Sequence, residues 1–353
     1  MMSKQDEIFM QRALQLASYG RPTVSPNPMV GCVIVLEGKI IGEGWHQKAG
    51  EPHAEVLAIR NVKDHELLKR ATAYVTLEPC AHYGKTPPCA ELLVEKQLKK
   101  VVIGCLDPNP LVAGKGVKIL EDAGIEVVCD VLKEESLNIN KQFFTFFQKK
   151  RPYIVLKWAE TADGFVAREN FDSKWISNGL SRQLVHKWRT ELDSILVGKN
   201  TVIYDNPKLN ARDWPGKNPI RIVIDHKLEV DQEKFLYSDG LNTICFHSSE
   251  KEIMDSQSCK FIQLSQKEFL SDLLGYLYQN KIQSVLVEGG AQTLESFIKA
   301  ELWDEARVFK SSNRFGSGIK SPQLKDGVLV SQQNIKDHNQ VDTLFIYRII
   351  KIN

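Results

Sequence analysis

Long apolar runs are missing from this 353-residue chain: nothing approaches the ~18–20 consecutive apolar residues that a bilayer-spanning helix needs. A charge excess of one sign is missing too. Lys and Arg total 46 against 44 Asp and Glu, a formal net charge of +2, which gives no support to a general nucleic-acid or membrane-surface binder. No segment repeats at a solenoid period and no low-complexity tract occurs. The stretch MMSKQDEIFMQRALQLAS carries acidic residues and lacks a secretory apolar core, so it reads as a first amphipathic helix. Seven cysteines, an odd number in a chain this long, argue against a disulfide framework and for a reducing compartment. A cytoplasmic protein is expected.

What is present suits a folded α/β protein. Hydrophobic residues make up 42% and charged residues 25% of the chain, a globular balance, and the length suits two domains of ~100–200 residues. Met29–Leu36, Ala73–Leu77, Val101–Leu106 and Ile125–Val131 read as buried strands, and 53–62, 88–99 and 116–123 as helices between them. Gly124 suits a helix terminator. A second alternating series opens at Pro152–Ala159. It continues through strand-like segments at 195–198, 220–225, 243–247, 284–288 and 343–350. Alternation of this kind places helices on both faces of a sheet. The stretch 133–151 is polar at both ends and closes on QKKR; it places the boundary near 145–150, giving expected domains 1–148 and 149–353.

The sharpest signal is His53-Ala54-Glu55 together with Pro79-Cys80 and Cys89. A strand ending near Leu77 delivers Cys80 to a sheet edge. Pro88 suits a first helical turn, placing Cys89 at a helix start, and His53 opens another helix. Two thiolates and an imidazole bind zinc and leave a fourth position for water, whose pKa the metal lowers to roughly 7. Glu55 can then carry a proton from the attacking water to a departing amine. His-x-Glu followed by Pro-Cys-x-x-Cys marks zinc nucleobase deaminases; here eight residues, AHYGKTPP, separate the two cysteines. Cys32, Cys105 and Cys129 lie in apolar segments and read as packing residues, while Cys245 and Cys259 fall far from the signature.

The segment TLEPCAHYGKTPPC, with SPNPMVGCVIV, HAE and DPNPLVAGKG, resembles the RibD/RibG family of bifunctional riboflavin-biosynthesis deaminase/reductases. The resemblance implies a cytidine-deaminase-like three-layer domain and deamination of 2,5-diamino-6-(ribosylamino)-4(3H)-pyrimidinone 5'-phosphate. Matching positions put Asn27, His46, His82, Lys85, Thr86, Asp107 and Asn109 in the substrate pocket. Lys85 and His82 suit a phosphate, and Asn27 suits a pyrimidine edge. A solvated loop lysine at 85 and a simple turn at Asp107–Pro110 are the plainer readings of the same residues.

LKWAETADG, SKWIS, VGKNTVIYDNPKLNAR, RIVID and VEGGAQTLESF extend the resemblance into the second half. They imply a dihydrofolate-reductase-like domain that uses NADPH to reduce the ribosylamino group to ribitylamino. Ala159, Trp175, Thr201, Asp205 and Gly290, Ala291, Gln292, Thr293, Leu294, Glu295 and Ser296 fall at NADPH positions. Ser173, Arg189, Leu209, Arg212 and Glu288 fall at substrate positions, and Lys157 and Asp205 are candidates to polarise or protonate the opened sugar imine. The Gly289-Gly290 turn lies between a strand and a helix, where glycine lets backbone amides approach a phosphate, although such turns often merely connect elements. Trp175 could equally be core, and Arg189 a solvated helix face. No G-x-G-x-x-G accompanies a strand, so a Rossmann module is not supported. After Glu305 the chain departs from the family, reading ARVFKSSNRFGSGIKSP where an apolar strand and a Pro-Lys, glycine-rich loop are usual.

The expected enzyme is therefore a zinc- and NADPH-dependent homo-oligomer acting on a small phosphorylated pyrimidine, with no nucleic-acid or membrane partner. The alternative is a single-function zinc nucleobase or nucleoside deaminase whose second domain binds nucleotide without catalysis. A nonenzymatic nucleotide-binding module would instead close its zinc with a fourth protein ligand.

Overall fold

A computed structural model describes residues 4–21, 23–83 and 87–349, so Lys85 and Thr86 lie outside the described residues. The chain divides between Lys150 and Arg151 into two compact units. Among the described residues no helix is long and apolar enough to cross a membrane.

The first unit runs α1 (Lys4–Ser18), β1 (Gly31–Leu36), β2 (Lys39–Trp45), α2 (Ala54–Arg60), β3 (Thr72–Val75), α3 (Cys89–Glu95), β4 (Lys100–Ile103), α4 (Lys115–Asp122), β5 (Glu126–Val128), α5 (Lys133–Ile139) and α6 (Lys141–Lys149). Its sheet has the order β2-β1-β3-β4-β5. β1 is antiparallel to both neighbours, and β3, β4 and β5 are parallel. Successive strand residues face opposite ways, which explains the apolar runs. Cys32, Ile34, Ala73, Val75, Val101 and Ile103 pack with α2, α3 and α4; Val33, Val35, Tyr74 and Val102 pack with Phe9, Met10, Ala13 and Leu16 of α1. Three layers result. Cys32 and Cys105 are buried as expected, but Cys129 lies just past β5 and is only half-buried.

β2 lies outside the strands expected from sequence; its segment KIIGEGW carries two glycines and a mixed burial pattern instead of an apolar run. The glycines answer to tertiary packing. A Cβ on Gly44 would lie 2.5 Å from the Ala58 amide nitrogen and 2.6 Å from the Ala54 carbonyl oxygen, so α2 sits directly on the strand backbone. Gly44→Ala should push α2 away and cost ~1–3 kcal/mol, weakening zinc binding because His53 and Glu55 ride on that helix. Urea denaturation and zinc competition against a chelator measure both; a native midpoint with native affinity would show that the helix has room to move.

The second unit runs β6 (Tyr153–Glu160), β7 (Phe165–Ala167), α7 (Gly179–Glu191), β8 (Ser194–Gly198), α8 (Lys199–Asp205), β9 (Ile220–Ile224), α9 (Phe235–Ser238), β10 (Thr243–His247), β11 (Cys259–Gln263), α10 (Phe269–Gln279), β12 (Ser284–Val287), α11 (Ala291–Lys299), β13 (Glu305–Lys310), β14 (Ile319–Lys320), β15 (Val328–Asp337) and β16 (Gln340–Arg348). Nine strands form one sheet, β11-β10-β9-β8-β12-β6-β13-β16-β15. It is parallel from β11 through β13, with β16 antiparallel to its two neighbours. Strands covered on both faces read as continuous apolar runs. Ile154, Leu156, Val285 and Val287 meet α10 and α11, while Tyr153, Val155 and Leu286 meet Val185 and Trp188 of α7. The stretch that follows Glu305, ARVFK, expected to depart from the usual apolar strand, forms most of the interior strand β13, with Ala306, Val308 and Phe309 buried.

Candidate functional site

The first unit carries its candidate site beyond the carboxyl ends of β2, β3 and β4, the second beyond those of its parallel strands, where loops are free to carry polar groups. In the first, Pro88 caps α3 so that Cys89 is its first residue, and His53 caps α2. Cys80 follows β3. His53 Nδ1 lies 3.3 Å from Cys89 Sγ and 3.5 Å from Cys80 Sγ, and the three ligand atoms lie within 4.8 Å of one another. Zinc bonds of about 2.0 Å to nitrogen and about 2.3 Å to sulfur give an N···S tetrahedral edge of roughly 3.5 Å, so the three side chains fit one such ion. Among the described residues this is the one such cluster, and it contains no fourth protein ligand. The Cys89 side chain and backbone amide and His53 hold the Cys80 thiol down, to about 4, against burial. Cys89 is pushed up, first by Cys80 and then by burial. A second thiolate beside the first needs a cation.

Glu55, the second residue of α2, is 3% exposed. Burial lifts its carboxyl to about 6, partly opposed by His53, which suits a proton carrier near neutral pH. The buried His46 donates from Nδ1 to the Pro52 carbonyl (3.2 Å), so its Nε2 accepts from the Asn27 amide at 3.0 Å. That fixes the Asn27 side chain and leaves its carbonyl oxygen for a ligand. Asp107 is buried, with its carboxyl raised to about 6 mainly by desolvation, and it accepts from the Asn109 amide at 2.8 Å. His82 is exposed. Sequence reasoning overlooked Glu78, whose buried carboxylate meets the backbone of the 107–117 segment; its partners are distant in sequence and leave no local signal.

The second unit contains a cavity of about 1730 Å³. Lys157, Ala159, Ser173, Trp175, Arg189, Thr201, Asp205, Leu209, Arg212 and Glu288 all line it, as do Gly290, Ala291, Gln292, Thr293, Leu294 and Ser296. Glu295 does not: it falls on the outer face of α11, 3.4 Å from Lys299. Gly289-Gly290 does join β12 to α11, with Gly290 at φ +62°. A Cβ on Gly289 would meet Thr201 Oγ1 at 2.8 Å, and one on Gly198 would meet Thr293 Oγ1 at 2.4 Å, so side chains there would crowd the cavity floor. Arg189 is no solvated helix face. It pairs bidentately with Glu288, Nε to Oε1 at 2.9 Å and Nη2 to Oε2 at 2.8 Å, and donates to the Asn210 carbonyl. Their side chains are 11% and 7% exposed. Nor is Trp175 core: it is 62% exposed, with the Arg182 guanidinium 4.6 Å from its ring. Burial lowers the pKa of Lys157 and raises that of Asp205, moving both toward the range in which protons are exchanged.

Residues 3–105 match the cytidine and deoxycytidylate deaminase zinc-binding region, and residues 152–343 match the RibD C-terminal domain. The riboflavin biosynthesis protein RibD of Aquifex aeolicus is 43% identical over 95% of this chain and 94% of its own length; that of Escherichia coli is 38% identical over 90% of each. The crystal structure of a diaminohydroxyphosphoribosylaminopyrimidine deaminase/5-amino-6-(5-phosphoribosylamino)uracil reductase from Thermotoga maritima, 38% identical, superposes with a TM-score of 0.89 over 98% of this chain and 99% of that one. The expected fold class holds, a cytidine-deaminase-like α/β unit followed by a reductase unit. With both halves matched in order and along nearly their whole length, the chain belongs to the RibD family of bifunctional deaminase/reductases of riboflavin biosynthesis.

Proposed function

We propose that the chain deaminates 2,5-diamino-6-(ribosylamino)-4(3H)-pyrimidinone 5'-phosphate in its first unit and reduces the ribosylamino group of the product to ribitylamino with NADPH in its second. The observation that carries this reading is the tetrahedral-edge spacing of His53, Cys80 and Cys89 beside the buried Glu55. Those three residues would hold zinc, which when bound supplies a water activated for attack on the amino-bearing ring carbon. Glu55 accepts the water's proton and delivers it to the departing amine, so that water enters and ammonia leaves. Asn27, oriented by His46, accepts from the pyrimidine edge; Asp107 and Asn109 contact the substrate in the same pocket, and His82, Lys85 and Thr86 complete it, His82 and Lys85 suiting the phosphate.

In the second unit Arg189, Arg212, Ser173, Leu209 and Glu288 hold the substrate, with guanidinium groups toward its phosphate. Ala159, Trp175, Thr201, Asp205 and Gly290 with the first residues of α11, Ala291–Leu294 and Ser296, bind the NADPH that supplies the hydride. Lys157 and Asp205 polarise the opened sugar imine and move its proton. The seven cysteines are free, which supports a reducing, cytoplasmic location, and a homo-oligomeric active form is part of the same proposal.

A coupled assay tests both halves. Treatment with a zinc chelator should abolish ammonia release and leave NADPH oxidation on the deaminated intermediate intact, with deamination restored by added zinc. Chelator-resistant ammonia release would overturn the deaminase reading. NADPH that binds without being oxidised would leave a single-function deaminase with a noncatalytic second unit.

A further inference from the structure

Glu78 stands two residues before Cys80, is 3% exposed, and has no part in the chemistry above. We propose that it is a positioning residue for the deaminase pocket, holding the 107–117 segment so that Asp107 and Asn109 present themselves to substrate; this rests on the deaminase reading. Glu78 Oε2 accepts from the amides of Asp107 (3.2 Å) and Gly114 (3.0 Å), and Oε1 from those of Gly116 (2.9 Å) and Val117 (3.3 Å). Its own amide donates to the Cys105 carbonyl at 3.0 Å. Gly116 presses against the same turn: a Cβ there would come within 2.1 Å of the Pro79 carbonyl oxygen.

Backbone N–H groups sheltered from water must find acceptors, and those of Gly116 and Val117, in the first turn of α4, have no carbonyl one turn back within the helix to serve them. A carboxylate offers two oxygens with about four lone-pair directions, matching the four donors, and bonds to a charged acceptor are the stronger kind. Because the turn from Glu78 to Cys80 also delivers a metal ligand, the carboxylate fixes the substrate-facing loop relative to the metal. Glutamine at this position keeps one accepting oxygen and sets an NH₂ against two of the amide donors, releasing half the segment.

The test is Glu78→Gln in the full-length chain. The expected result is a KM for the diaminopyrimidinone ribosyl phosphate raised ~10-fold or more, kcat within about threefold, zinc content and NADPH oxidation as in the native chain, and faster hydrogen exchange at the Gly114, Gly116 and Val117 amides. Zinc retained with an unchanged KM would overturn the proposal, and so would loss of zinc, which would make Glu78 a support of the metal turn. Should the glutamine variant be insoluble, Glu78→Asp, with both oxygens on a shorter stem, should raise KM about threefold or more with zinc retained; a native KM would again overturn it. If the native chain released no ammonia, the deaminase reading itself would fail. Amide exchange would then still decide whether Glu78 holds the loop, unchanged exchange counting against it.

Discussion

Glu55→Gln should lower ammonia release by about 10²–10⁴-fold, the range for losing a positioned general acid–base group, while the chain keeps its zinc. Glu55 is not among the ligand atoms, and its carboxyl is held near 6 by burial in α2. Glutamine is nearly isosteric, so the helix and the His53 cap remain, but the amide cannot carry a proton. Zinc content by atomic absorption and ammonia release with saturating substrate separate the two effects. Turnover within about tenfold of native would remove Glu55 from proton transfer, whatever the fate of the metal.

Arg189→Met should be the most damaging single change in the second unit. It leaves the Glu288 carboxylate, 7% exposed, facing a lost partner. Breaking one side of a buried pair costs roughly 3–5 kcal/mol, which for a unit of this size lowers its melting transition by about 10 °C. NADPH oxidation should fall as well, because the guanidinium that would meet the substrate phosphate is gone. Adding Glu288→Gln removes the stranded charge and should recover much of the stability without recovering activity. Activity recovered in the double variant would remove the pair from the binding surface, and a melting transition unmoved by Arg189→Met would show that it is no structural clamp.

The two sites were unequally legible. Zinc accepts few ligand types and the signature orders them, so His53, Cys80, Cys89 and the neighbouring Glu55 stood out from sequence, and the structure brings them together. The reductase cavity was readable only through resemblance, since Lys157, Arg189 and Glu288 are ordinary charged residues until β6, α7 and the end of β12 juxtapose them. Glu295 shows the limit of contiguous motifs: within a helical run, successive residues point around the axis, and this one turns to Lys299. β2 shows no apolar run because its glycines stand where another backbone must come close, here that of α2.

By itself the sequence determined the alternation of buried strands and helices that makes an α/β protein and the chemistry of the metal cluster, because side-chain periodicity and ligand type are local properties. Only the tertiary structure decided that Glu78 answers four amides 29 to 39 residues away, that Arg189 is neutralised across 99 positions by Glu288, and that Trp175 lines a cavity. Burial and partnership depend on which backbone arrives from elsewhere in the chain, and that is settled by packing.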